Sequence, residues 1–127
     1  MWTQPKITHN RPTKWFWMVT KPEHFTLGQR TDIGAFSYIQ ASQGVTIEDD
    51  VQVGSHCSIY SVSSIDGKQG QVIIKKNARI GTHAVIMPGV TIGENSIVGA
   101  FSFVTCDIPA NQIWYGCPAH FAKYLQM

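Results

Sequence analysis

An aliphatic residue returns at every sixth position through most of this 127-residue chain. Counted on that residue, hexads begin at Leu27, Ile33 and Ile39, then, after two extra residues, at Ile47, Val53, Ile59 and Ile65. A break follows, and the frame resumes at Ile74, Ile80, Ile86, Ile92, Val98 and Val104. All thirteen leading positions are Leu, Ile or Val, although those residues make up about a fifth of the chain. A helix would smear a six-residue repeat around its circumference, and the glycines, the β-branched residues, Pro88 and Pro109 also oppose helix. Short strands joined by bends fit instead. If three hexads close one lap of a solenoid, each leading side chain points inward and stacks on its equivalent eighteen residues on, with laps about 4.8 Å apart. Small residues at the fifth position, Ser37, Cys57, Ala78, Ala84, Ser96 and Ser102, would fill the tight corners. The expectation is an all-β parallel solenoid of triangular section over residues 27–109, with a loop at 65–73, preceded by an aromatic extension, 1–26, and followed by a tail, 110–127.

The segment IGTHAVIMPGVTIGENSIVGAFSFVTCDIPANQIWYGCPAHFAK, from Ile80 to Lys123, resembles the C-terminal half of galactoside and related sugar O- and N-acetyltransferases. Repeat, proline step and terminal G-x-P-A segment occur in that family's order, and the likeness extends over about Leu27 to Lys123. The chain thus resembles the hexapeptide-repeat acyltransferases. The resemblance implies a left-handed parallel β-helix, a homotrimer, acetyl-CoA as co-substrate, and a sugar or nucleotide-sugar acceptor acetylated on oxygen or nitrogen, plausibly for a surface polysaccharide.

Stacking the laps puts the fourth positions of one face, Phe36, His56, His83 and Phe101, above one another on an outer edge. Acyl transfer from a thioester to a hydroxyl or ammonium group needs a base that works near neutrality, and imidazole suits that task. In galactoside-type enzymes the catalytic histidine resembles one from the loop after the first coil, and here that loop, IDGKQGQV, contains none. His56 is therefore the first candidate base, with Asp66 to orient it and His83 as second choice; an amine acceptor losing its proton without a protein base is an alternative. Cys57 follows His56, but consecutive side chains in extended structure point to opposite sides, so a covalent cysteine dyad is not expected. The resemblance further implies that backbone groups of Thr82 and Ala100 hold the pantetheine arm, with Thr105, His120 and Lys123 nearest the phosphates. Cys106 stands where the family often has lysine, and His120 where it often has a basic residue.

Charge narrows the partners. A net charge of +2, with 14% charged residues and no lysine or arginine block, gives no electrostatic case for nucleic acid or an anionic membrane. Three cysteines at no metal-like spacing indicate neither a disulfide framework nor a zinc cage, and no metal is expected. No basic segment followed by a long apolar run marks a signal sequence, and no run is long enough to span a membrane, so a soluble, cytoplasmic protein is expected. Residues 1–26 hold three of the four tryptophans. Trp15 and Trp17 share a parity and would together cover the open end of the solenoid; alternatively they form a platform for the base of a nucleotide-linked sugar, with His9, Arg11 and Lys14 near its diphosphate. Two other readings share the fold: a zinc-dependent carbonic anhydrase, which needs three ligands where one edge offers two histidines, and a non-catalytic trimeric scaffold.

Overall fold

The computed structural model describes residues 1–126, and the short strands predicted from the hexads build three parallel sheets. One sheet stacks Met18–Thr20, Tyr38–Gln40, Ser58–Tyr60, Val85–Ile86 and Phe103–Val104. A second stacks Phe25–Leu27, Val45–Ile47, Val72–Ile74 and Thr91–Ile92. The third runs Asp32–Ile33, Gln52–Val53, Arg79–Ile80, Ile97–Val98 and Gln112–Gly116, and is closed by Ala119–Tyr124, its one antiparallel member. The chain visits the sheets in rotation, so the three enclose one core between them. No helix among the described residues is long and apolar enough to cross a membrane.

The core is the column of leading aliphatics. Ile39, Ile59, Ile86 and Val104 line up with Val19 along the first sheet, and each is completely buried. The six small fifth-position residues are buried as well. A Cβ on Gly81 would lie 2.5 Å from the amide nitrogen of Ala100, and one on Gly54 would lie 2.6 Å from that of Thr82. Adjacent laps approach too closely there for any side chain.

Four sequence expectations need correction. Ile65 is 99% exposed, because the chain leaves the solenoid as a hairpin of Val62–Ser63 against Lys68–Gln69 and Ile65 sits near its tip, with no lap above or below. The next lap resumes earlier than Ile74, at Val72, and both side chains point inward opposite Val45 and Ile47. At the amino end, Met18–Thr20 already pairs with Tyr38–Gln40, so regular stacking starts inside the aromatic extension. Trp15 and Trp17 do not share one fate there. Phe16 between them has φ 68°, which breaks the alternation: Trp17 is 2% exposed and packs edge-on to Phe25, whereas Trp15 is 41% exposed.

The corners take a left-handed turn at the fourth position. On one edge that position holds Arg30, Asp50, Asn77, Asn95 and Asn111, with φ between 55° and 65°. Asparagine tolerates this region, and the three side-chain amides form a ladder at 2.9 and 2.8 Å, while Arg30 Nε donates to Asp50 at 2.7 Å.

The close approach at the glycine column sets a test. Gly81→Ala should lower the urea midpoint by the equivalent of about 1–3 kcal/mol through overpacking against a neighbouring backbone. Ile65→Ala, at the hairpin, should change stability by less than about 0.5 kcal/mol.

Candidate active site

On the next edge the left-handed corner positions are all aromatic. Phe16, Phe36, His56, His83 and Phe101 have φ between 58° and 68°, a region that bulky side chains occupy at a cost of about 1–2 kcal/mol each. Their rings form one ladder. Centroids step 6.2, 5.2, 4.7 and 4.8 Å from Phe16 to Phe101, and His56 and His83 lie parallel within 4°. The arrangement is stacking, not two nitrogens converging on one ion. Phe36 and Phe101 remain 64% and 68% exposed, so apolar rings flank two accessible imidazoles.

The two histidines are not equivalent. Thr82 Oγ1 donates its hydrogen to the Ser55 carbonyl at 2.8 Å, and the same oxygen lies 2.9 Å from His83 Nδ1. With that hydroxyl hydrogen committed, we assign Nδ1 of neutral His83 as the donor, which leaves the lone pair on Nε2. His56 is held by its ring neighbours, Phe36 on one side and His83 on the other. Asp66 does not orient it. It lies in the exposed hairpin, where a hydrogen bond involving Ser63 leads in holding its carboxyl below the usual range, and where it accepts from the Lys68 amide at 3.3 Å.

Cys57 faces inward, as its parity predicts. It is 1% exposed, burial pushes its thiol pKa up, and its Sγ donates to the Gly81 carbonyl at 3.1 Å. A thiol so placed is a poor source of thiolate.

Below the ring edge a shallow cleft of about 420 Å³ follows the third sheet, with Gly54, Gly81, Gly99 and Ala100 on one side and Gln52 and Arg79 on the other. The Ala100 amide and carbonyl have no backbone partner among the described residues, while the Thr82 carbonyl accepts from Phe101 N at 2.9 Å. Free peptide groups beside a glycine-lined cleft fit an extended, amide-rich ligand arm. Farther along, Gln112–Gly116 and Ala119–Tyr124 form the closing hairpin. Alternation would place His120 and Lys123 on opposite faces. A bulge that leaves Ala122 unpaired instead sets Lys123 across from Ile113 and His120 across from Tyr115, so the two candidates share a face. Thr105 is exposed just after Phe103–Val104 of the first sheet, and no side-chain hydrogen bond joins it to either among the described residues.

Residues 71–106 match the bacterial transferase hexapeptide family (six repeats), and residues 26–63 match the hexapeptide repeat of succinyl-transferase. The chain belongs to the hexapeptide-repeat transferase family. Among relatives of this hexapeptide-repeat chain is the galactoside O-acetyltransferase of Escherichia coli (strain K12), 38% identical over 117 residues, covering 79% of this chain and 57% of the relative. A dTDP-3-amino-3,6-dideoxy-α-D-galactopyranose 3-N-acetyltransferase of Aneurinibacillus thermoaerophilus is 48% identical over 56 residues, 44% of this chain and 29% of the relative. The hexapeptide-repeat-containing acetyltransferase of Vibrio cholerae O1 biovar eltor, solved with acetyl coenzyme A, superposes with a TM-score of 0.82 at 28% identity, covering 87% of this chain and 66% of that one. The chain thus spans 57% of the length of the first of these relatives. The hexapeptide-repeat fold is a left-handed parallel β-helix, as the likeness implies.

Cysteine accessibility gives a direct check on the edge. Cys106 and Cys117 are exposed and Cys57 is buried, so a thiol reagent should titrate two cysteines rapidly in the native protein and the third only on unfolding. Rapid labelling of Cys57, read by peptide mass spectrometry, would contradict the inward placement.

Proposed function

We propose that this chain moves an acetyl group from acetyl-CoA to a hydroxyl or amino group of a sugar, with an imidazole of the stacked pair as base. The observation that carries this reading is the His56–His83 pair on an exposed edge, beside a glycine-lined cleft with unpaired peptide groups. The relatives support the chemistry, since they are acetyltransferases of a galactoside and of an amino sugar, and a neighbour of the same fold holds acetyl-CoA.

His56 was the first choice on sequence; the hydrogen bonding favours His83. Thr82 fixes its ring and directs the basic nitrogen away from the backbone. Bound acetyl-CoA supplies a carbonyl activated as a thioester. Nε2 of His83 takes the proton from the acceptor oxygen or nitrogen as that atom bonds to the carbonyl carbon, and returns it to the departing sulfur, so charge and protons balance over the turnover. His56 stacks against the imidazolium that forms, and the Ala100 or Thr82 peptide groups hold the pantetheine arm. Tyr115, His120 and Lys123 on the closing hairpin offer a phenol ring, an imidazole and an ammonium group to the nucleotide end of the donor. Thr105, which nothing brings toward them, is the weakest member of that set. The exposed Phe36 and Phe101 belong, in this reading, at the contact with a neighbouring copy in a homotrimer. A cytoplasmic place of action and a role in surface polysaccharide assembly go with it.

The test is a thiol-release assay with acetyl-CoA against a panel of free and nucleotide-linked sugars and amino sugars. His83→Ala should reduce kcat by roughly 10²–10⁴-fold with the KM for acetyl-CoA within a few-fold of wild type. Thr82→Val should reduce it less, and His56→Ala least. Unchanged kcat in His83→Ala removes the base. No turnover with any acceptor, together with no CoA binding by calorimetry, removes the transferase.

A further inference from the structure

The first 21 residues carry Lys6, Arg11, Lys14 and Lys21 and no acidic residue at all, in a chain whose net charge is only +2. They also build the amino-terminal cap, and the cap is not flat. A cavity of about 370 Å³ opens between Trp2, Trp15 and Trp17, with Asp32 on its rim. Beside it, across the shared wall of Thr3, Pro5 and Trp15, lies a second cleft of about 460 Å³ that contains Lys6, Arg11 and Lys14. None of these three has a carboxylate within ion-pair distance among the described residues. An aromatic compartment thus adjoins a cationic one, on opposite sides of one indole.

The compartment walls are preformed. Trp2 Nε1 donates to the Thr31 carbonyl at 2.9 Å, which ties the chain terminus to the first rung of the third sheet. The Thr13 hydroxyl accepts from the Trp15 and Trp17 amides at 3.3 and 3.4 Å, and the Thr13 amide donates to the Trp17 carbonyl at 2.8 Å, closing the turn that presents Trp15. Lys14 Nζ stands 4.9 Å over the Trp15 ring, so a positive charge marks the boundary of the two compartments. His9 takes no part in the cationic cleft. Its Nδ1 accepts from the Lys21 amide at 2.9 Å, and Lys6 supplies the third cation in its place.

We propose that this cap binds the nucleoside diphosphate end of the acceptor, the base among Trp2, Trp15 and Trp17 and the phosphates at Lys6, Arg11 and Lys14. A planar base stacks on indole, Asp32 can accept from its ring N–H or from ribose hydroxyls, and the unpaired cations offset the diphosphate charge. The carboxy-terminal hairpin closes the opposite end of the third sheet, so the nucleotide portions of donor and acceptor would occupy opposite ends of the prism. Phe16 follows Trp15 directly and is the first ring of the ladder that leads through Phe36 to His56 and His83, so the cap and the proposed base share one edge of the prism. Calling the ligand an acceptor rests on the transferase reading; the nucleotide site itself does not.

Binding is read without any acyl donor, by quenching of tryptophan emission and by calorimetry, with UDP, dTDP, 3′-phospho-ADP and inorganic pyrophosphate as probes. UDP or dTDP should bind wild type, and both Trp15→Ala and the triple variant Lys6→Ser, Arg11→Ser, Lys14→Ser should weaken that binding at least tenfold. Pyrophosphate should lose binding in the triple variant and keep it in Trp15→Ala. Each altered side chain is exposed, and circular dichroism with a urea midpoint verifies that each variant is folded. Failure of wild type to bind any nucleotide overturns the proposal. So does equal binding of UDP or dTDP to wild type and both variants, or selective binding of 3′-phospho-ADP here, which would assign the cap to the donor. Nucleotide binding without acetyl transfer to any acceptor and without CoA binding would sustain the site and remove the transferase reading; transfer to free sugars without nucleotide binding would do the reverse.

Discussion

The structure depends on parallel backbone pairing between successive laps, which fixes their separation at about 4.8 Å. Each residue then has its equivalent in the next lap as nearest neighbour. Inward positions must be aliphatic in a continuous column, and the position after them must lack a side chain where laps touch, as at Gly54 and Gly81. Outward positions are freed from packing but not from stacking. Whatever stands at a corner becomes a ladder along the prism, and two of the corners with left-handed turns use that rule in opposite ways.

One corner satisfies the backbone. Asn77, Asn95 and Asn111 accept the left-handed geometry and pair their amides, and Arg30 and Asp50 continue the column as an ion pair whose hydrogen bond holds the aspartate carboxyl below its usual range. The other corner places five rings in a conformation that rings do not favour. Stacking recovers part of that strain, at about 0.5–1.5 kcal/mol per aromatic pair. Asparagine would serve the fold better at these positions. The retained rings are therefore the place where the sequence departs from what the backbone alone would select, and they are where two imidazoles become accessible side by side.

Much of this was legible in the residues. The hexad frame located the inward column, the fifth-position small residues and the His56–His83 register, because each follows from a period and a parity. Legibility failed where a local backbone feature changes the parity. A left-handed Phe16 separates Trp15 from Trp17, and a bulge at Ala122 brings His120 and Lys123 onto one face. Ile65 fits the period by composition alone, since no lap exists there for it to face. The bond between Thr82 and His83 was invisible for another reason: adjacent residues pair side chains only because a turn folds them together. That bond is why the proposed mechanism sets His83 ahead of His56.

The account stands on the orientation of one ring, and nitrogen-15 NMR of histidine-labelled protein reports it directly. Long-range proton–nitrogen correlations, at a pH where the ring is neutral, should show His83 protonated on Nδ1 with a free lone pair on Nε2, and nuclear Overhauser contacts should join its ring protons to those of His56. A His83 ring protonated on Nε2 would contradict the proposed base, and one without contacts to His56 would contradict the ladder.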